Sequence, residues 1–216
     1  MFMLMLKYLS NNRKQNKSDM LFLKSDFDQA NFFKTLKKKN LIILDFGCGT
    51  GVWNQAAGGN RIYLYEKNKL ALKHVKKKYQ SDKNFIIINS LKKKILKKID
   101  IVLINSVIQY ISKNDLQKLL LNFDKNLKKN HKIIIGDIPR YSRLVEFFAL
   151  SFLNYKRFLG ALWVIVNFIK YVKNSTFYLN NLDISFLKKN FKFKKVENFN
   201  NFKLRNCYIL EKKFKC

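Results

Sequence analysis

Hydrophobic positions in this chain fall into short unbroken runs, separated by polar stretches with helical spacing. Residues 41–44 read Leu-Ile-Ile-Leu, and similar runs recur at 62–65, 85–88, 101–104 and 133–135. Runs this short, without polar alternation, suit strands buried on both faces. Residues 69–79 and 115–127 have helical spacing, residues 28–38 read as a helix ahead of the first strand, and residues 183–189 read as a last helix. Strands alternating with helical segments predict right-handed βαβ units and a mostly parallel sheet. Residues 191–199 and 203–212 leave no room for a helix between them, so they should pair antiparallel at one sheet edge. The expected fold class is α/β, with five alternating strands and a terminal hairpin.

The first strand runs into Asp45-Phe46-Gly47-Cys48-Gly49-Thr50-Gly51, after which a helix is expected near Val52. Glycines let the backbone turn sharply from strand to helix and leave no Cβ between chain and ligand. In an open α/β sheet, ligands sit outside the carboxyl ends of strands, where this loop falls. Glu66 ends the second strand, and a carboxylate there can accept both hydroxyls of a ribose. A dinucleotide turn needs Gly-x-Gly-x-x-Gly, but the spacing here is Gly-x-Gly-x-Gly, with no Lys-Ser/Thr to mark a phosphate loop.

Composition narrows the picture without deciding it. The 216 residues are 48 % hydrophobic and 15 % aromatic, which excludes a disordered polyelectrolyte despite a net charge of +30. No repeat or Pro/Gly/Ser linker appears and Pro139 is the single proline, so residues 1–216 are expected to form one domain. Residues 1–40 would be an N-terminal helical segment and residues 141–172 an apolar helical insertion. Cys48, Cys207 and Cys216 are odd in number and scattered, which fits a reducing compartment, and residues 1–6 are too short for a signal peptide. A cytoplasmic protein is expected, with peripheral contact at the inner face of a membrane as an option. The charge invites a polyanionic partner, yet only six of the 44 basic residues are arginine. The lysine clusters at 37–39, 76–78, 92–94, 97–98, 128–129, 188–189 and 194–195 fall at the ends of different elements. A solvated lysine surface is the better reading, and a nucleic-acid partner the lesser one.

Residues 41–51 resemble the first motif of the class I S-adenosylmethionine-dependent methyltransferases, of small-molecule type, and Tyr65-Glu66 resembles their acidic second motif. The resemblance extends over most of residues 28–212. It implies a Rossmann-like, doubly wound, seven-stranded sheet whose last strand is inserted antiparallel, with a helical insertion after strand five. It also implies S-adenosyl-L-methionine as cofactor and no metal. On that resemblance Asp45, Gly47, Gly49 and Gly51 would line the methionine and ribose portion and Glu66 the ribose diol, with Cys48 a small residue in the turn and Thr50 opening the helix. Where the family has an aspartate for the adenine amino group, this chain has Asn89-Ser90, neutral acceptors that should bind more weakly. Residues 100–110 resemble the fourth motif, whose loop faces cofactor and acceptor, and place Asn105 there. This chain lacks the Asn/Asp-Pro-Pro-aromatic of base-amino enzymes and the Pro-Cys of cytosine-C5 enzymes, which lowers the nucleic-acid reading.

Methyl transfer is an in-line displacement, so a general base matters only where the acceptor must lose a proton. Asp137, after strand five, is the best base candidate, followed by Tyr110 and Tyr141, and Arg140 and Arg143 are placed to hold an acidic acceptor. Tyr110, Arg140 and Tyr141 are therefore the candidate substrate residues. His131, at the opposite end of strand five, and His74, on an outer helix, read as structural. The apolar stretch 144–170 is too short and too interrupted by Lys156-Arg157 to span a bilayer. It reads as a lid, an interfacial membrane helix or an oligomer contact, and the first two favour a small-molecule or lipid-linked acceptor. An RNA methyltransferase and a catalytically degenerate cofactor-binding domain are the competing functions.

Overall fold

The computed structural model describes residues 27–139, 182–196 and 205–213. Arg140, the N-terminal stretch 1–26 and the whole of the expected 141–172 insertion, with Tyr141, Arg143 and the apolar stretch 144–170, lie outside the described residues. Seven strands form one sheet in the order β3-β2-β1-β4-β5-β7-β6. They are β1 (Ile42–Phe46), β2 (Arg61–Tyr65), β3 (Phe85–Ile88), β4 (Ile101–Asn105), β5 (Lys132–Pro139), β6 (Phe191–Val196) and β7 (Arg205–Lys212). The first five pair in parallel, while β7 runs antiparallel between β5 and β6. The expected parallel sheet with an antiparallel terminal hairpin is therefore the observed one.

The apolar runs form buried strands because helices cover both faces of the sheet. One face carries Ile43, Leu64, Leu103 and Ile134 under α1 (Gln29–Leu36) and α2 (Lys69–Tyr79). The other carries Leu44, Val102, Ile104 and Ile135 under α3 (Lys93–Leu96), α4 (Lys113–Asn126) and α5 (Ile184–Asn190). The helices start where oxygen side chains cap their first free N–H groups. Asp28 caps α1, Asn68 caps α2, Ser112 caps α4 and Asp183 caps α5. None of the described helices is long and apolar enough to cross a membrane.

The helix expected near Val52 does not form. Only nine residues separate Gly51 from Arg61, and Gly58 and Gly59, both with positive φ, make the reversal into β2. The one helical feature there is a single 3-10 turn at Ala57–Gly59. Thr50 therefore opens no helix, and residues 51–56 run as an irregular strap. Trp53, fully buried, occupies the space beneath the strap, and Phe27, Phe32 and Phe33 pack against it with ring centroids 5.2, 5.4 and 5.7 Å away. The strap's polar backbone groups, which a helix would satisfy internally, take side-chain partners instead. Trp53 N–H donates to the Tyr79 hydroxyl (3.1 Å), which donates to the Trp53 carbonyl (2.8 Å). Lys78 Nζ donates to the Gly51 carbonyl (2.9 Å). Gln29 accepts from Asn54 N–H (2.9 Å) and donates to the Gln55 carbonyl.

Candidate functional site

β1 is the strand at which the sheet changes direction, with β2 on one side and β4 on the other, and the crevice outside such a strand is the usual ligand site of an open α/β sheet. Gly47, Gly49 and Gly51 have φ of +73°, +55° and +86°, a region that residues with a Cβ rarely adopt. The turn is pinned to β2, because Gly47 N–H and Cys48 N–H both donate to the Tyr65 carbonyl, at 2.8 and 3.1 Å. The glycines also clear space, though not only for a ligand. A Cβ on Gly47 would lie 2.7 Å from Val107 Cγ2, and one on Gly51 would lie 2.5 Å from the Tyr79 hydroxyl oxygen. Two of the three glycines thus admit the protein's own side chains against the turn.

Glu66 follows β2 and reaches the same turn. One carboxylate oxygen accepts Gly49 N–H at 2.7 Å and the other accepts Asn68 N–H at 2.8 Å. These bonds fix the carboxylate's direction while leaving acceptor sites, since an ionised carboxylate has about four. Asp45, near the end of β1, is 2 % exposed and accepts from the Trp53 indole N–H at 2.9 Å. Cys48 is buried within the turn. Asn89 and Ser90 are exposed and follow Ile88, which pairs with Tyr65, so they stand one step beyond β3 beside Glu66.

On the other side of the crevice, β4 and β5 end together. Asn105 pairs with Gly136, and a Cβ on Gly136 would lie 2.5 Å from Asn105 Oδ1. That oxygen is buried and accepts no hydrogen bond among the described residues, an uncommon state. Ser106 and Asp137 both have left-handed backbones, φ +57° and +58°, and the Ser106 hydroxyl donates to Asp137. Non-glycine residues in that region cost roughly 1–2 kcal/mol each and tend to gather at functional sites.

Asp137 was expected after strand five but lies inside β5. The pairing with β7 slips between Ile135 and Ile138, so Gly136 and Asp137 together face Cys207 in a bulge that tucks the aspartate in at 1 % exposure. Burial, and next the charge of Asp137, push the Cys207 thiol up to about 12, so it stays protonated and unreactive. Tyr110, 38 % exposed, ends a 3-10 turn directly after β4. His131 sits at the amino end of β5, buried, and His74 is exposed on α2.

The structure therefore gathers Asp45, Gly47, Cys48, Gly49, Thr50, Gly51, Glu66, Asn89 and Ser90 around β1–β3, and Asn105, Tyr110 and Asp137 around β4–β5, toward the carboxyl ends of the parallel strands. Sequence reasoning missed Trp53, Lys78, Tyr79 and Ser106. The one signal for the first three was the nine-residue gap before Arg61, too short for a helix and its return.

Residues 37–201 match a family model described as a methyltransferase domain. A comparison with curated protein sequences gives no match. Among solved structures, the chain is similar to the pyocyanin biosynthetic protein PhzM, with TM-score 0.59 and 12 % identity over 87 % of this chain and 55 % of that one. It is also similar to magnesium protoporphyrin IX methyltransferase from Synechocystis, solved with bound SAH, with TM-score 0.55 and 13 % identity over 84 % of this chain and 78 % of that one. A TehB-like SAM-dependent methyltransferase from Corynebacterium glutamicum gives 0.53 and 12 %, over 97 % of this chain and 98 % of that one. Against three of the matched structures this chain spans 66 %, 56 % and 55 % of their length.

Proposed function

Because the chain belongs to the methyltransferase-domain family, we propose that it transfers a methyl group from S-adenosylmethionine to a small-molecule or lipid-linked acceptor. The observation that carries this reading is the bond from Gly49 N–H to Glu66, which joins a left-handed glycine turn to a carboxylate at the strand where the sheet changes direction. S-adenosylmethionine supplies a methyl group already activated on a sulfonium. The residues present fit it. The turn at 47–51 binds at the carboxyl end of β1, and Glu66 keeps acceptor sites for a ribose diol. Asn105 offers a buried oxygen that takes no hydrogen bond among the described residues.

Asp137 and Ser106 form the proton-handling pair. Where the acceptor must lose a proton, Asp137 is the base we propose, oriented by the Ser106 hydroxyl and brought from its buried position into reach when the acceptor binds. Tyr110, beside them and partly exposed, contacts the acceptor. Arg140 and Tyr141, outside the described residues, follow β5 directly and complete the acceptor side. The apolar stretch 144–170 supports a hydrophobic or lipid-linked acceptor and peripheral membrane contact over a nucleic acid.

Glu66→Ala tests the site. The proposal expects binding of S-adenosylmethionine, measured by calorimetry, to weaken more than about tenfold in a folded variant, since hydrogen bonds to a charged group contribute about 1.5–3 kcal/mol each. Unchanged affinity would remove Glu66 from the site. Cell extract incubated with the protein and methyl-labelled cofactor, read by mass spectrometry, identifies the acceptor class. A second reading, cofactor binding without catalysis, is supported by the neutral Asn89-Ser90 pair. Tight binding with no labelled product from any extract would favour it.

A further inference from the structure

We propose that Tyr79 and Lys78, in the last turn of α2, are positioning residues that hold the glycine turn in place of the helix this crossover lacks. The inference rests on the reading of residues 45–66 as the cofactor site. In a crossover with a helix, the first helical turn would anchor the last glycine from within the segment. Here the strap at 51–56 has no helix, and its anchors come from a neighbouring helix. Lys78 donates to the Gly51 carbonyl at 2.9 Å and lies over the Tyr79 ring, 5.0 Å from its centroid.

Tyr79 is the more central of the two. Its hydroxyl grips Trp53 at both backbone groups, at 3.1 and 2.8 Å, and sits where a Gly51 Cβ would be. Trp53 in turn donates from its indole to Asp45 at 2.9 Å, beneath the start of the turn. One phenol therefore touches the last glycine and, through Trp53, the aspartate that precedes the first. The ring cannot drift, because it stacks on Phe85 of β3 at 4.1 Å with 25° between planes. Burial, then the charge of Asp45, raise the hydroxyl's pKa above its ordinary value, so it remains a donor.

The test uses the full chain with Trp163→Phe, which leaves Trp53 as the sole tryptophan, and S-adenosylmethionine as probe. Tyr79→Phe keeps the stacked ring and removes the hydroxyl. It is expected to weaken cofactor binding about tenfold, the scale of one or two net hydrogen bonds, and to shift Trp53 emission. Val75→Ala, a buried position on the same helix, is the control, expected to lower the melting temperature with affinity unchanged. Lys78→Met, at the surface, should weaken binding about threefold and stands in if Tyr79→Phe does not fold. If Tyr79→Phe and Lys78→Met lower stability yet bind within about twofold of the parent while Glu66→Ala does not, the positioning role is overturned and the cofactor site stands. If the parent itself does not bind S-adenosylmethionine, the site reading falls and this inference with it.

Discussion

The crossovers from β1 to β2 and from β4 to β5 make the same parallel connection by opposite means. The second contains α4, whose buried Leu116, Leu120 and Phe123 recur at helical spacing, and whose N-terminus is capped within the segment. Ser112 accepts from Asp115 N–H at 3.1 Å and donates to the Asp115 carboxylate at 2.6 Å. The helix of that crossover satisfies its own backbone and caps itself, and it meets the sheet through its apolar face. The first has no helix and borrows its partners from Gln29 in α1 and from Lys78 and Tyr79 in α2. A self-sufficient crossover tolerates change in its neighbours. A borrowed one ties the glycine turn to two neighbouring helices, so changes there should reach the turn.

The comparison is broken most severely at Trp53. Trp53→Ala should cost about 3–5 kcal/mol in urea unfolding, because it empties a fully buried site, and Asp45 would lose its indole donor as well. A loss below about 1 kcal/mol would mean that the aromatic cluster closes without it. Next comes Asn60, which is buried and accepts Leu41 N–H at 2.6 Å where the strap returns to the sheet. Asn60→Ala leaves that buried N–H without its acceptor and should cost about 1–3 kcal/mol by the same measurement.

In the second crossover the effects should be smaller and local. Ser112→Ala removes a cap and should cost about 1 kcal/mol, with cofactor affinity unchanged. If affinity falls, the two crossovers are not as independent as their hydrogen bonds indicate. The smallest effect belongs to His131, where that crossover rejoins β5. Its Nδ1–H donates to the Lys128 carbonyl at 2.6 Å, and burial, outweighing the bond to Lys128 and the charge of Asp124, lowers its pKa from 6.5. Between the folded value and 6.5, the unfolded chain takes up a proton that the folded chain refuses. Stability should therefore be whole above about pH 6.5 and decline as pH falls toward the folded value. His131→Gln should flatten that part of the profile, and an unchanged slope would assign it to other groups.

The strands were legible because a strand covered on both faces excludes polar residues, and the runs at 62–65, 85–88 and 101–104 match β2, β3 and β4 to within a residue. The glycine turn was legible because positive φ at Gly47, Gly49 and Gly51 restricts residue choice. The β5 bulge was not, because it arises where β5 and β7 lie side by side, and neither strand's own sequence records the slip.

By itself, then, the sequence determined the features set by local rules: where the buried strands lie, where the glycine turn falls, and that Glu66 follows β2. It also carried the nine-residue limit on the first crossover, although a helix was expected there. Only the tertiary structure decided that Trp53 fills the space under that strap, that the Tyr79 hydroxyl occupies the volume a Gly51 side chain would take, and that Ser106 meets Asp137. The reason is distance along the chain. Tyr79 lies 26 residues from Trp53, and Asp137 lies 31 from Ser106. Periodicity and capping act within a few residues, and contacts at such separations exist only once the sheet has brought their strands and helices together.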